Sequence, residues 1–314
     1  MPLGNTRQYG RSKRLRAIIQ NALLAAVVIA TVSTGIMYLI KNRNDSLRGY
    51  SDLLQSWNNG AYAEVYTESG KMLEDAPLDF FLLSMHGYAA YYMALSMINT
   101  KDIEVYTDEC VTTLRKTLLC KEGERNGRIC YVLGKAYFLK GMEYANLSIK
   151  YLEDALKFSY HSEDIQEYLG LAYAEAHEYW KSIAAFSEAL VPVGGDEDPS
   201  DTLLLAIARS YIEVNEDDGA RAYLSRCLEV SKDFSVIAVA RLLLGRILMK
   251  TGDIEGAERL YLSILQEGGE QADARYELGV LYAERGETIK ARAEWRKALR
   301  LDPAYAPARA RLSM

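Results

Sequence analysis

In a chain of 314 residues, 6 Pro, 4 Cys and 3 His are few. Sparse proline leaves long stretches open to helix, because Pro removes a backbone donor and clashes with the preceding turn. Sustained two-residue alternation of apolar and polar side chains is also missing, which argues against a sheet protein and for a helical one. Cys110, Cys120, Cys130 and Cys227 form no C-x-x-C pair, which disfavours a zinc framework. A disulfide between Cys110 and Cys120 stays open for an oxidising compartment. His86, His161 and His177 have no Cys or acidic partner at metal spacing and fit no H-E-x-x-H frame. Nor is there a Gly-rich phosphate loop or a nucleophile elbow. The expectation is a protein that is not an enzyme, with no catalytic residue, cofactor or metal.

Positive charge is scarce beyond the start of the chain. Residues 1–48 hold eight Lys or Arg against Asp45 alone, a surplus of seven, so within a total of −6 the remainder carries −13. Such a body does not suit phosphate backbones, whose binding rests on clustered Lys and Arg. Nucleic acid is therefore not an expected partner.

The basic start runs into an uncharged stretch from Ala17 to Ile40, AIIQNALLAAVVIATVSTGIMYLI. Its 24 residues reach roughly 36 Å at 1.5 Å each, enough to cross a hydrocarbon core of about 30 Å with some tilt. A cleavable signal peptide is the competing reading. The apolar run exceeds the usual ~7–15 residues of such a peptide, however, and no clear small-x-small site follows it. A retained single-pass anchor in the lipid bilayer is expected. Five basic residues precede the span, and Lys41, Arg43 and Arg48 follow it. That bias makes residues 1–16 a basic cytoplasmic tail and puts the body on the opposite side, periplasmic or otherwise extracytoplasmic. Ala22, Ala26, Ala30 and Thr34 lay small side chains on one stripe, the pattern through which membrane helices self-associate.

What the chain has in quantity is a spaced pattern. Leu278-Gly279, Tyr282, Ala291, Trp295 and Ala298, followed by Pro303, recur 34 residues earlier as Leu244-Gly245, Leu248, Ala257, Tyr261 and Ile264, with Gly269 in the place of the proline. The order returns as Ile207-Ala208, Tyr211, Ala220, Leu224, Cys227. Further back come Leu169-Gly170, Tyr173, Ser182, Phe186, Ala189, and Leu133-Gly134, Tyr137, Ser148, Leu152, Ala155. This pattern resembles the tetratricopeptide repeat (TPR), a helix–turn–helix unit with a period of about 34 residues. Five copies cover 127–305. Two degenerate ones, keeping Gly87 and Gly60-Ala61-Tyr62, cover 46–126. The resemblance implies an all-α, right-handed superhelical solenoid of about seven TPR-like repeats after a single N-terminal transmembrane helix at 17–40.

Gly in a helix interior costs roughly 0.5–1 kcal/mol relative to Ala, so Gly279 needs a reason. Small residues there and at Ala291 let the two helices of a unit cross closely, with Tyr282 and Trp295 filling the space beside them. No unit buries its apolar face alone, so the copies stack. His86 falls on an apolar position of the pattern and reads as a core residue; Cys130 and Cys227 read as buried thiols. The segment PVGGDEDPS (192–200) reads as a hinge between the fourth and fifth units. About thirteen extra residues fall between Asn99 and Gly127 in the second unit. Residues 306–314 read as a truncated first helix, which leaves the polar cap of the array nearly absent.

In the family it resembles, the concave groove is lined by first-helix residues at the second, fifth, ninth, twelfth and thirteenth repeat positions. Carried over, the partner-binding groove comprises Tyr88, Tyr92, Tyr131, Lys135, Phe138, Arg209 and Arg246, with Tyr50, Trp57, Tyr91, Leu171 and Lys250 beside them. The family's Lys and Asn clamp for a C-terminal carboxylate is not matched, which disfavours a chaperone-tail co-receptor. The chain has 23 Tyr, and an aromatic groove suits an extended or helical peptide, with Lys135 near an acidic group of that partner. The other reading is that these Tyr pack between neighbouring first helices. Residues 272–314, with nine Lys or Arg against six Asp or Glu, offer a second place for an acidic partner.

The expected function is a membrane-anchored scaffold or adaptor that binds protein partners in an envelope-associated secretion, cell-wall or motility complex. A chaperone-like ancillary factor at a protein translocon and a transport-associated ligand-binding protein are the alternatives. Replacing Ala26 and Ala30 together by Leu should weaken self-association of the span in a membrane reporter assay; an unchanged signal would leave a plain anchor.

Overall fold

The computed structural model describes residues 48–190, 199–268 and 271–313. The expected tail, the anchor at 17–40 and most of the hinge segment lie outside the described residues. Among the described residues, no helix is long and apolar enough to cross a membrane.

Fifteen α-helices follow one another with no strand among the described residues. The first pair is α1 (48–58) with α2 (Tyr62–Asp75), and the second is α3 (Phe80–Ser96) with α4 (Thr100–Thr117). Next come α5 (Gly127–Leu139) with α6 (Ala145–Lys157), then α7 (Ile165–Glu175) with α8 (Tyr179–Ala189). The last three pairs are α9 (Asp201–Glu213) with α10 (Asp217–Val230), α11 (Phe234–Thr251) with α12 (Ile254–Glu267), and α13 (Ala272–Glu284) with α14 (Thr288–Leu301). A single helix, α15 (Ala306–Ser313), ends the series. The extra residues of the second unit lengthen α3 and α4 and form the segment 118–126. From α3 to α13, each first helix also touches the first helix of the next pair, so these pairs stack as a solenoid.

Two glycine positions explain why each pair folds back on itself. A Cβ built on Gly279 would stand 2.3 Å from Trp295 Cδ1; on Gly245, 2.4 Å from Tyr261 Cε1; and on Gly170, 2.4 Å from Phe186 Cδ1. Each large side chain of the second helix therefore lies directly on the bare backbone of the first. Trp295 adds a hydrogen bond, its Nε1 donating to the Tyr276 carbonyl at 3.2 Å. In the fifth unit Ala208 replaces the glycine and the smaller Leu224 replaces the aromatic; both are fully buried. Gly286 answers to a different demand, a left-handed φ of 76° that closes α13. The amide of Glu287 then donates back to the Tyr282 carbonyl at 2.8 Å. Gly252 and Gly141 hold the equivalent corner, and His177 and Asn215 adopt it with side chains attached.

The core is continuous along the stack, because clusters of buried side chains draw on two successive pairs or, at the C-terminal end, on α14 and α15. Leu204, Ala208, Leu224 and Cys227 of the fifth pair share one with Ala240 and Ile247 of α11. Ala238, Leu242, Tyr261 and Ile264 share the next with Leu278 and Leu281 of α13. At the C-terminal end the short helix α15 follows the last pair. Although α15 has only eight residues, Ala308 is fully buried against Trp295 and Ala298. Arg292 donates to the Leu312 carbonyl at 3.2 Å, and the Tyr305 hydroxyl donates to Asp273 Oδ1 at 2.6 Å. One short helix covers the last crossing because a small residue lets it lie flat there.

Replacing Gly279 by Leu should drive Trp295 off the α13 backbone and destabilise the C-terminal units by about 1–3 kcal/mol or more. Faster amide exchange confined largely to residues 238–305 is the expected signature; unchanged exchange there would contradict the crossing.

Candidate partner-binding groove

Much of the aromatic N-terminal half is interior. Tyr88 is only 6% exposed, packed with Tyr91, Val111 and Leu114, and the Arg128 guanidinium lies 4.9 Å over its ring. Burial pushes its phenol up to about 12, against the pull of Arg128. Tyr91 is buried as well, and the Tyr50 hydroxyl donates to Asp79 Oδ2 at 3.0 Å. Tyr92 remains exposed, stacked on Tyr62 at 4.1 Å and edge-on to Trp57 at 5.6 Å. For Tyr88 and Tyr91, packing between neighbouring helices is the outcome, because adjacent first helices leave no gap for solvent at those positions.

Lys135 was expected to meet an acidic group of a partner. In the structure an acid from the next unit, Asp164, already pairs with it. Lys135 Nζ lies 2.7 Å from Asp164 Oδ2 and 3.0 Å from the Tyr131 hydroxyl, with the Tyr168 ring centroid at 4.2 Å. The Tyr131 hydroxyl in turn donates to Asp164 Oδ1 at 2.6 Å, as does Ser162 Oγ at 2.6 Å. Burial alone would raise the Asp164 carboxyl, but hydrogen bonds from Lys135, Ser162 and Tyr131 outweigh it and hold the group below its ordinary range. Burial likewise works against the Lys135 ammonium, and its bonds to Asp164 and Tyr131 reverse the effect and raise it. Arg246 is paired too, with Glu277 at 2.7 Å, and Lys250 with Asp217 at 2.7 Å. These cations tie one unit to another.

The residues that do come together around open space are Phe138, Leu171 and Arg209. They line a hollow of about 420 Å³ shared by α5, α7 and α9, with Leu205, Phe186 and Tyr179 completing its walls. Placing Gly170 and Ala208 at the eighth repeat position puts Leu171 and Arg209 at the ninth, Leu205 at the fifth and Thr202 at the second. Phe138 and Ala174 stand at the twelfth, and Glu175 and Glu213 at the thirteenth. The same positional rule that pointed to Phe138, Leu171 and Arg209 thus also reaches Leu205, Glu175 and Glu213, which the aromatic emphasis of the sequence passed over. Phe186 and Tyr179 come from α8, which no first-helix rule can reach.

The hollow is apolar on its walls and carries two carboxylates and one guanidinium. Arg209 is exposed. Glu175 is different: its Oε2 is closed off from solvent and has no hydrogen-bond partner, and burial raises its carboxyl above the ordinary range. A buried acceptor left unmatched costs roughly 1–3 kcal/mol, and more when charged. A larger hollow of about 690 Å³ lies between α1 and α2, where Asp52, Ser56, Glu64, Thr67 and Glu68 stand beside Leu53, Ala63 and Met72.

Other side-chain constellations are interior. His86 Nδ1 lies 3.0 Å from Ser69 Oγ and 3.0 Å from the Tyr66 carbonyl oxygen, while Nε2 lies 3.4 Å from Glu109 Oε1. Ser69 is wholly buried and donates to the Val65 carbonyl at 2.5 Å, so this line ties α2, α3 and α4 together and presents no nucleophile to a substrate. Cys110, Cys120, Cys130 and Cys227 are free thiols, and burial pushes Cys130 up to about 11. Among the described residues no group of His, Cys, Asp and Glu could hold a metal ion.

Residues 242–306 match the family model of the tetratricopeptide repeat. A comparison with curated proteins finds no match. Among solved structures, the chain is similar to the C-terminal part of a TPR repeat-containing protein from Cytophaga hutchinsonii. The two are 17% identical with a TM-score of 0.59, over 84% of this chain and 100% of that one. It is also similar to PilF of Pseudomonas aeruginosa, at 15% identity and a TM-score of 0.52 over 72% of this chain and 96% of the other. PilW, described as a widely conserved type IV pilus biogenesis factor, gives 15% identity and 0.51 over 73% and 96%. The solenoid is thus of the TPR type.

Because the Asp164 carboxyl is held below its unfolded value, its contribution to stability is complete above about pH 4 and is lost as pH falls through the depressed folded value. Asp164→Asn should therefore lower stability at neutral pH by about 1–3 kcal/mol. The gap between wild type and variant should close in acid, as followed by urea unfolding across pH. A gap that persisted unchanged at low pH would show that the Lys135 pairing contributes nothing.

Proposed function

We propose that this chain is a non-catalytic scaffold that holds protein partners in the groove formed by its first helices, at the hollow between the third and fifth units. The observation that carries this reading is the hollow itself: apolar walls from Phe138, Leu171 and Leu205 on three successive first helices, with the exposed Arg209 beside them. Large apolar side chains left around open space on a concave surface favour association with a partner's side chain. The proposal includes residues 17–40 as a membrane anchor, the N-terminus in the cytoplasm and the solenoid on the opposite side. There the scaffold would serve an envelope-associated assembly concerned with secretion, cell-wall construction or motility. That placement rests on the order of basic and apolar residues from Arg7 to Ile40, not on the fold.

Crosslinking in cells followed by pull-down tests the reading. A few stoichiometric partners are expected, and Phe138→Ala with Leu205→Ala should weaken their capture, because truncating central interface residues often costs about 2 kcal/mol or more. The variants should keep their helix content by circular dichroism. Many substoichiometric clients would instead favour a chaperone-like role, and full capture by the folded double variant would move the site elsewhere.

A further inference from the structure

Glu175 stands at the end of α7, where the hollow is walled by Phe138, Leu171 and Leu205. Among the described residues no cation neutralises it: Oε2 is closed to solvent and without a hydrogen-bond partner, and burial is the one influence acting on its carboxyl. Arg209 lines the same hollow from α9 without forming an ion pair to Glu175. A charged acceptor held in this way gains most from a donor that brings its own positive charge.

The shape and lining narrow the donor further. Glu175 shares the hollow with aromatic and aliphatic side chains, so a ligand group that meets its carboxylate there lies against apolar walls, which suits an apolar stem with a cationic tip. Lys and Arg side chains have that division, burying their methylene stems along apolar surface while the charged head finds a polar partner. With Glu213 and Arg209 also in the lining, the hollow carries a net charge of −1, and the −13 on residues 49–314 adds an attractive field for a basic partner.

Resting on the groove reading above, we propose that the hollow takes a Lys or Arg side chain from a segment of the partner protein. Phe138, Leu171 and Leu205 pack on its stem, and Glu175 accepts its charged end. Arg209 and Glu213, one helical turn apart on α9, flank the site. The acid-rich body thus selects a basic segment, in contrast to the acidic partner that Lys135 would have called for had it been free.

Panning the full-length chain against a random peptide display library tests this, with wild type beside Glu175→Gln and Ala206→Trp. Glu175→Gln removes a half-buried charge that has no partner, so it should fold as well as wild type. Ala206→Trp fills the hollow and leaves the carboxylate in place. Wild type is expected to enrich peptides with Lys or Arg beside apolar residues. For the enriched peptides, Glu175→Gln, or Met in place of the basic residue, should each weaken binding by about tenfold or more, the scale of one charge-assisted hydrogen bond. Ala206→Trp should abolish it. Enrichment of acidic or purely apolar peptides, or basic peptides whose affinity ignores Glu175→Gln, overturns the assignment and leaves the groove reading standing. Enrichment of no peptide by a chain with intact helix content overturns both.

Discussion

In the fourth, sixth and seventh units, an aromatic side chain of the second helix rests on a residue of the first helix that has no Cβ. Phe186 on Gly170, Tyr261 on Gly245 and Trp295 on Gly279 would each collide with an added methyl at 2.3–2.4 Å. The interval between glycine and aromatic is sixteen residues in all three, which is what the rest of the first helix, a left-handed corner and half a second helix require. In the third unit the interval from Gly134 to Leu152 is eighteen residues, and the short 3₁₀ turn Met142–Tyr144 before α6 takes up the difference. The crossing sets how closely the two helices of a pair approach, and that spacing decides which side chains are left to meet the next pair.

Beyond the shared apolar core, several successive units are tied by tyrosine and carboxylate. Tyr131 donates to Asp164, Tyr173 to Glu153, Tyr282 to Glu258 and Tyr305 to Asp273, each at 3.0 Å or less and each from one unit to another. A body with a net charge of −13 has more carboxylates than cations to pair them with. Phenols supply donors without adding charge, and their rings fill the gaps between helices at the same time. The abundance of tyrosine is thereby explained in part by stacking. The same arrangement draws Lys135 and Arg246 into ties with Asp164 and Glu277.

What escapes these ties is the hollow lined by Phe138, Leu171, Leu205, Arg209 and Glu213. There the facing side chains of α7 include Leu171, Ala174 and Glu175, too short or too apolar to close the space between neighbouring first helices. The result is a hollow with one unmatched carboxylate inside it. The hollow borders the core, since Leu205 and Phe186 of its walls are buried among the packed helices.

The helix pairs, their number and the role of Gly279 were legible in the sequence, since each depends on contacts a fixed distance apart along the chain. Leu-Gly followed sixteen residues later by an aromatic specifies a crossing wherever it occurs. Phe138, Leu171 and Arg209 were legible for the same reason, as they recur at set positions of a repeating helix. The partners of Lys135, Tyr88 and Glu175 were not. Whether Lys135 finds Asp164 twenty-nine residues away, or Glu175 finds nothing, depends on how one unit is turned against the next. That turn is the summed result of side-chain volumes at every crossing. Local spacing determined the helices and the faces they present; only the packed stack decided which of the charges on those faces are matched within the protein and which stay unmatched.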